Sequence, residues 1–307
     1  LAYHAAEGNR VVLDDGTDLA RARALAASAD QVVVVVGYTY EDEGEYLVST
    51  ENMKESAAAG RLIGEKGVGG DRENLSLLPS DVALFEATAG ANDQLALVYI
   101  GGSAIDMSGW VDQVPAILYA WYAGMEGGSA LARVLYGEVN PGGKLPFAIP
   151  RDSADYPYFT PYTDNITYGY YHGYTLFDKR GIDVAYPFGF GLSYTHYRYD
   201  NLRVLTPVLG EADSLSVEVD VTNTGALAGK EIVQMYVGFA NSTVDRPIKL
   251  LRGFDKVALK AGETTTVTLE LPVNELAWYN DKEREWQIES MSYELYVGGS
   301  SADEDLL

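Results

Sequence analysis

The residues most able to do chemistry sit together in Tyr38-Thr-Tyr-Glu-Asp-Glu-Gly-Glu-Tyr46, where Glu41, Asp42, Glu43 and Glu45 crowd four carboxylates into five positions. They directly follow Gln31-Val-Val-Val-Val-Val-Gly37, a continuous β-branched run suited to a strand covered on both faces. In open α/β sheets the carboxyl edge is where functional loops gather. Crowded carboxylates raise one another's pKa, which keeps one of them protonated near neutral pH and able to donate a proton. The competing reading is a solvated acidic loop with no role. Two glycine-rich stretches carry less. Gly67-Val-Gly-Gly-Asp71 lacks the GxxxxGK[ST] spacing of a phosphate loop. Gly127-Gly-Ser-Ala130 has no glycine at the offset a nucleophile elbow needs, so it reads as a helix start.

Composition removes several classes of chemistry. There is no Cys among the 307 residues, which excludes thiol nucleophiles, disulfides and Cys-ligated metals. The three His, at 4, 172 and 196, fit no metal-binding spacing, so neither a metal nor another cofactor is expected. A net charge of −23 repels phosphate backbones and anionic lipid, so nucleic acid and membrane are not expected partners. A neutral saccharide is compatible with that surface, and so is a homo-oligomer. No apolar run approaches the roughly 18 residues a membrane helix needs, and the valine run Val32 to Val36 is strand-sized. Leu1-Ala-Tyr-His reads without a signal peptide. The sequons Asn165-Ile-Thr167 and Asn241-Ser-Thr243 point weakly to secretion, and both a bacterial cytoplasmic and a secreted or periplasmic location remain open.

The elements that must position the acidic segment follow from periodicity. Residues 18–29, rich in Ala, Leu and Arg, read as a helix with Thr17 as its N-cap. A second helix is expected from Ser80 as N-cap to about 89, leading into a strand at Leu95-Ala-Leu-Val-Tyr-Ile100. A third strand is expected over 114–120, and a helix carrying Leu131, Val134 and Leu135 on one face ends at Gly137. Such alternation predicts an α/β domain over 1–150, with a largely parallel sheet and helices on both faces. Residues 151–206, dense in Tyr, Gly, Pro and Asp, read as an aromatic-rich connector. From 207 to 307 the period becomes two: Val217, Val219 and Val221 alternate with Glu218 and Asp220, and Val267, Leu269 and Leu271 with Thr268 and Glu270. That pattern predicts an all-β sandwich.

Five segments in one order resemble glycoside hydrolase family 3. They are Gly70-Asp-Arg72 with Leu75-Ser-Leu-Leu-Pro79, Trp121-Tyr-Ala-Gly-Met-Glu-Gly-Gly128, Asn140-Pro-Gly-Gly-Lys-Leu-Pro146, Tyr186-Pro-Phe-Gly-Phe-Gly-Leu-Ser-Tyr-Thr195, and Val221-Thr-Asn-Thr-Gly225 with Gly229-Lys-Glu-Ile-Val-Gln-Met-Tyr236. The resemblance implies the C-terminal half of a β-glucosidase-like enzyme: an α/β sandwich domain followed by a fibronectin-III-like domain. It implies a retaining mechanism in which one carboxylate attacks the anomeric carbon and a second carboxyl acts as acid and base. The family's nucleophilic Asp sits on a (β/α)8 barrel, and nothing in this chain resembles it, so the chain alone is expected to be inactive. The position matching the acid/base is Glu43, with Glu45 and then Glu41 as competitors. Asp71 and Arg72 either form an ion pair that anchors the loop or contact the sugar. Trp110, Trp121 and the tyrosines are candidate stacking platforms. β-Glucosidase is the first activity implied and β-xylosidase the next; a non-catalytic carbohydrate-binding or scaffolding module is the alternative.

Overall fold

The computed structural model describes residues 9–39, 42, 72, 74–158 and 165–307. Glu41, Glu43, Glu45 and Asp71 therefore lie outside the described residues. The chain divides into two compact units, Leu1–Tyr136 with Arg151–Tyr168, and Gly137–Pro150 with Gly169–Leu307.

In the first unit, helix α1 (Leu19–Ser28) precedes strand β1 (Val32–Gly37), and α2 (Pro79–Ala89) precedes β2 (Leu95–Ile100). Strand β3 (Ala116–Tyr119) and helix α3 (Gly127–Leu135) follow. The cap of α1 is Asp18, one residue later than expected, because its carboxylate accepts from the Ala20 and Arg21 amides, both at 3.1 Å. Thr17 instead donates its hydroxyl to Asp15, 2.8 Å away. Helix α2 starts before Ser80, at Pro79, whose fixed φ suits a first helical position where no N–H is needed. All three strands are parallel, in the order β1-β2-β3. Leu95, Leu97, Val98 and Tyr99 are all buried, so β2 is the strand covered on both faces. The valine run of β1 was expected to be so; it buries Val34 and Val36 but leaves Val35 53% exposed, as the outer strand among those described.

The second unit is built on an antiparallel sandwich. One sheet has the order β10-β7-β6, from Thr264–Pro272, Ser214–Asn223 and Tyr197–Val204. The other has the order β13-β8-β9, from Glu294–Gly298, Gly229–Gly238 and Lys249–Leu259. Val217, Val219, Val221, Val233, Met235, Val267, Leu269 and Val297 form one apolar cluster, so the period-two pattern does separate core from surface. A hairpin, β11 (Trp278–Asn280) with β12 (Glu285–Gln287), stands apart from both sheets. Helix α4 (Gly173–Arg180) ends on Gly181 in the left-handed conformation, and β4 (Ile149–Pro150) pairs with β5 (Val184–Tyr186).

The segment 151–206, expected to be one connector, is shared between the units. Residues up to Tyr168 join the first, and α4, β5 and β6 join the second, with β6 hydrogen-bonded to β7 as a sandwich strand. The turn at Asn140-Pro-Gly-Gly143 also belongs to the second unit, and its polar contacts explain why. Asn140 donates to the Ala228 carbonyl at 3.0 Å and accepts from the Ser193 hydroxyl and the Tyr194 amide. The Lys144 ammonium lies 3.1 Å from the Glu231 carboxylate, with both side chains nearly buried. The Tyr199 hydroxyl donates to the same carboxylate at 2.8 Å, and burial beside Glu231 pushes its pKa far above the ordinary range, so it remains a neutral donor. Replacing one member of a buried pair leaves the other charge uncompensated. Glu231→Gln should therefore lower stability by about 3–5 kcal/mol, read as a reduced midpoint in urea unfolding followed by far-UV circular dichroism. A loss under about 1 kcal/mol would show the pair to be dispensable.

Candidate active site at the carboxyl edge of the parallel sheet

The carboxyl ends of β1, β2 and β3 lie side by side, and the residues just beyond them form one connected set. Gly37 ends β1 at φ 138°, and a Cβ there would fall 1.8 Å from the Ile100 carbonyl oxygen. Only glycine permits that approach. Its amide donates to the Asp81 carboxylate at 3.0 Å, which ties the strand end to the first turn of α2. The Tyr38 amide then donates to the Ile100 carbonyl at 2.9 Å, one step past the strand pairing.

Tyr38 is buried, and its hydroxyl donates to the Ser76 carbonyl. The Arg72 guanidinium lies 4.3 Å above the Tyr38 ring centre and also donates to the Ser103 hydroxyl and the Ala104 carbonyl. Arg72 thus anchors the residue that opens the acidic segment to the loop after β2. Asp42, the one described carboxylate of that segment, is turned back on its own loop. It accepts from the Thr39 amide and hydroxyl at 3.0 and 3.1 Å, while its own amide donates to the Thr39 carbonyl.

A chain of rings continues across the sheet edge. Tyr38 meets Tyr99 at 6.3 Å, Tyr99 meets Tyr119 at 4.6 Å, and Tyr119 meets Trp121 at 5.1 Å. The Tyr119 hydroxyl donates to the Ser103 carbonyl at 2.9 Å. Burial first, and the neighbouring Tyr99 second, push the Tyr119 phenol far upward despite the Arg72 charge, so it is a fixed neutral donor. Trp121 has a φ of 54°, which bulky L residues rarely adopt. Of the residues singled out in the sequence, Arg72 and Trp121 fall within this set. Asp81 and Ser103 are further members that no motif marked; Tyr38, which opens the acidic segment straight after a strand, was given no role of its own.

Trp110 lies elsewhere. It is buried against Phe85 at 5.4 Å, and its indole N–H donates to the Asp106 carbonyl at 3.2 Å. With Ser76, Glu86 and Asp106 it lines a depression of about 240 Å³, where it is itself 6% exposed. Among the described residues no group of three or more potential ligands could hold a metal ion, and no helix is long and apolar enough to cross a membrane.

At Asp106, burial alone would raise the carboxyl pKa, but hydrogen bonds from Ser108 and Ser153 outweigh it and hold the group below the ordinary range. A lowered folded-state value means that the carboxylate's contribution is complete above the unfolded pKa of about 3.9 and vanishes as pH falls through the folded one. Acidification from about pH 6 to pH 3 should therefore shift the unfolding midpoint less in Asp106→Asn than in the parent protein. Equal shifts would remove Asp106 from the acid sensitivity.

Comparison with known proteins gives a consistent picture. Residues 4–194 match the Glycosyl hydrolase family 3 C-terminal domain, and residues 231–301 match a Fibronectin type III-like domain. The chain is 37% identical over 292 residues to thermostable beta-glucosidase B of Acetivibrio thermocellus, covering 90% of this chain and 38% of the relative. It is 37% identical over 240 residues to an exo-alpha-(1->6)-L-arabinopyranosidase of Bifidobacterium breve, covering 76% and 31%. Among solved structures, the beta-D-glucoside glucohydrolase of Trichoderma reesei superposes with a TM-score of 0.84 at 29% identity, over 98% of this chain and 42% of that one. A beta-glucosidase of Kluyveromyces marxianus in complex with glucose superposes with a TM-score of 0.76 at 32% identity, over 97% and 33%. The chain thus spans about a third to two-fifths of the length of these relatives.

Proposed function

The chain belongs to glycoside hydrolase family 3, and from that membership we propose that it supplies the general acid/base of a retaining, exo-acting β-glycosidase, with β-glucosidase the activity. Glu43 is the acid/base, and Glu45 and Glu41 are its alternatives. The nucleophile comes from a (β/α)8 barrel, so this chain by itself does not turn over glycosides. In a retaining enzyme the two carboxyl groups stand about 5–5.5 Å apart, so the acid must be presented at a fixed place at the rim of its own domain.

The observation that carries this reading is the anchoring of the carboxyl end of β1. Gly37 is locked to Ile100 and Asp81, and Tyr38 to Ser76 and Arg72, immediately before the acidic segment begins. A loop with no role needs no such anchoring of its root. Asp42 is engaged by Thr39, which leaves the three glutamates as the candidates. Arg72 acts as a structural anchor, through its contacts with Tyr38, Ser103 and Ala104. A second reading, in which the sugar is a pentopyranose such as xylose, is favoured by the similarity to a relative named for arabinopyranoside hydrolysis.

With the barrel present, Glu43→Gln should depress hydrolysis of glycosides with poor leaving groups by about 10²–10⁴-fold. Activated aryl glycosides should suffer less, since their departure needs little protonation. Glu41→Gln and Glu45→Gln should not reproduce that difference. Equal loss on both substrate types, or none, removes Glu43 from the role.

A further inference from the structure

The hairpin of β11 and β12 has no part in the proposed chemistry, yet it is firmly mounted and carries two open aromatic rings. One buried guanidinium clamps both of its legs. Arg246 donates to the Leu276 carbonyl, just ahead of β11, at 2.8 Å, and lies 3.7 Å from the Glu289 carboxylate, just past β12. The guanidinium stacks on Phe239 at 3.7 Å, and Glu289 also accepts from the Thr243 amide and hydroxyl, both at 2.7 Å. Asn280 sets the turn. Its side-chain oxygen accepts from the Lys282 and Glu283 amides, and its backbone carbonyl accepts from the amide of Arg284, a residue at φ 58°. On one face of the hairpin the Asn280 side chain donates to Gln287 at 2.9 Å. On the other, Tyr279 and Trp286 are register partners, with ring centres 5.5 Å apart and planes inclined at 65°. Tyr279 is 49% exposed and Trp286 is 70% exposed. Rings held in advance by a stiff mount lose little freedom when a ligand settles on them.

We propose that Tyr279 and Trp286 form a binding platform for a neutral saccharide chain, a β-linked glucan. Area and charge select this occupant. The two rings offer about 250 Å² of surface between them, well short of the roughly 800 Å² per partner that a stable protein interface buries. A patch of that size suits one or two pyranose rings. Residues 281–285 alternate Asp, Lys, Glu, Arg and Glu, so the hairpin carries no field of one sign to draw a charged ligand. The net charge of −23 repels polyanions besides. The face of an aromatic ring is electrostatically negative, and the C–H groups that line a pyranose face are its natural complement. The Tyr279 phenol adds a donor and an acceptor for sugar hydroxyls. Only the choice of glucose among pyranoses rests on the β-glucosidase activity proposed above; the platform is independent of the acid/base assignment.

The test is native electrophoresis of the 307-residue chain in gels cast with and without hydroxyethyl cellulose, a soluble β-glucan derivative. The glucan should retard the parent chain relative to a non-binding marker. Trp286→Ala and Tyr279→Ala should each raise the apparent Kd at least about threefold, the loss of one ring contact. Trp286→Phe keeps a ring and should retain most of the retardation. Phe254→Ala, which removes a ring 68% exposed on β9, should change nothing. Far-UV circular dichroism matching the parent establishes that each variant is folded. An unretarded parent overturns the proposal, as does equal loss in Phe254→Ala, which would mean general apolar adhesion. Retardation by a xylan and not by the glucan overturns the glucan assignment. A dimer in sedimentation velocity that Trp286→Ala abolishes would make the face a self-association surface. Retardation lost once a family 3 barrel is joined ahead of the chain would make it a seat for that barrel; either result overturns the proposal.

Discussion

A backbone-to-backbone approach that admits no side chain governs how this chain leads into its acidic segment. Where β1 ends, the Gly37 α-carbon faces the Ile100 carbonyl so closely that a methyl group would sit 1.8 Å from the oxygen. The approach holds the strand end against β2, where the Tyr38 amide still bonds the Ile100 carbonyl, and the Gly37 amide finds the Asp81 carboxylate instead of water. From that point Tyr38, Arg72 and Ser103 lie within reach of one another, and the edges of β1 and β2 are joined by polar contacts rather than by sheet hydrogen bonds alone. A substituent at position 37 would displace each of these partners together, because they share one strand end.

The two units use different means to reach a single arrangement. The sandwich relies on interdigitating apolar side chains of two inner faces, which is strong but not selective about what else adheres to it. Selectivity there comes from a few buried polar contacts: Asn140 on the 228 carbonyl, and Lys144 with Tyr199 on Glu231. Lys249, buried between Asp178 at 3.3 Å and Asp303 at 2.8 Å, is a second such point. At these sites a wrong pairing would bury a charge unmatched, a penalty that a misplaced valine does not incur.

The sandwich was legible in the sequence because its period of two appears in residues such as Val217, Val219 and Val221, where composition alone decides which face is inward. The three parallel strands were legible for a similar reason, though their burial was not. The valine run suggested cover on both faces, whereas the consecutive burial of Leu97, Val98 and Tyr99 marks β2 as the inner strand, a property set by strand order and not by any one segment. Helix starts shifted where Asp18 rather than Thr17 caps α1, and where Pro79 at the first position of α2 puts Leu78, not Ser80, at the cap. The candidate site was legible as a position, the end of the valine strand. Its supports were not: Asp81 and Ser103 come from helix and loop residues whose types are ordinary, and only folding brings them to Tyr38 and Arg72.

The path of the chain between the units has a practical corollary. It leaves the first unit after Tyr136, contributes residues 137–150 to the second, returns for 151–168, and crosses again. The body that contains the sandwich is thus sewn from two separated stretches, and β6 enters it well before the fibronectin-like match begins at 231. A fragment started at 207 would lack β6 and leave one side of β7 with bare amides and carbonyls, an invitation to pair with a neighbouring molecule. Protease nicking between 150 and 169 would sever the covalent path while leaving Asn140 and Lys144 gripping the sandwich, so the pieces would stay together on a sizing column and part only in denaturant.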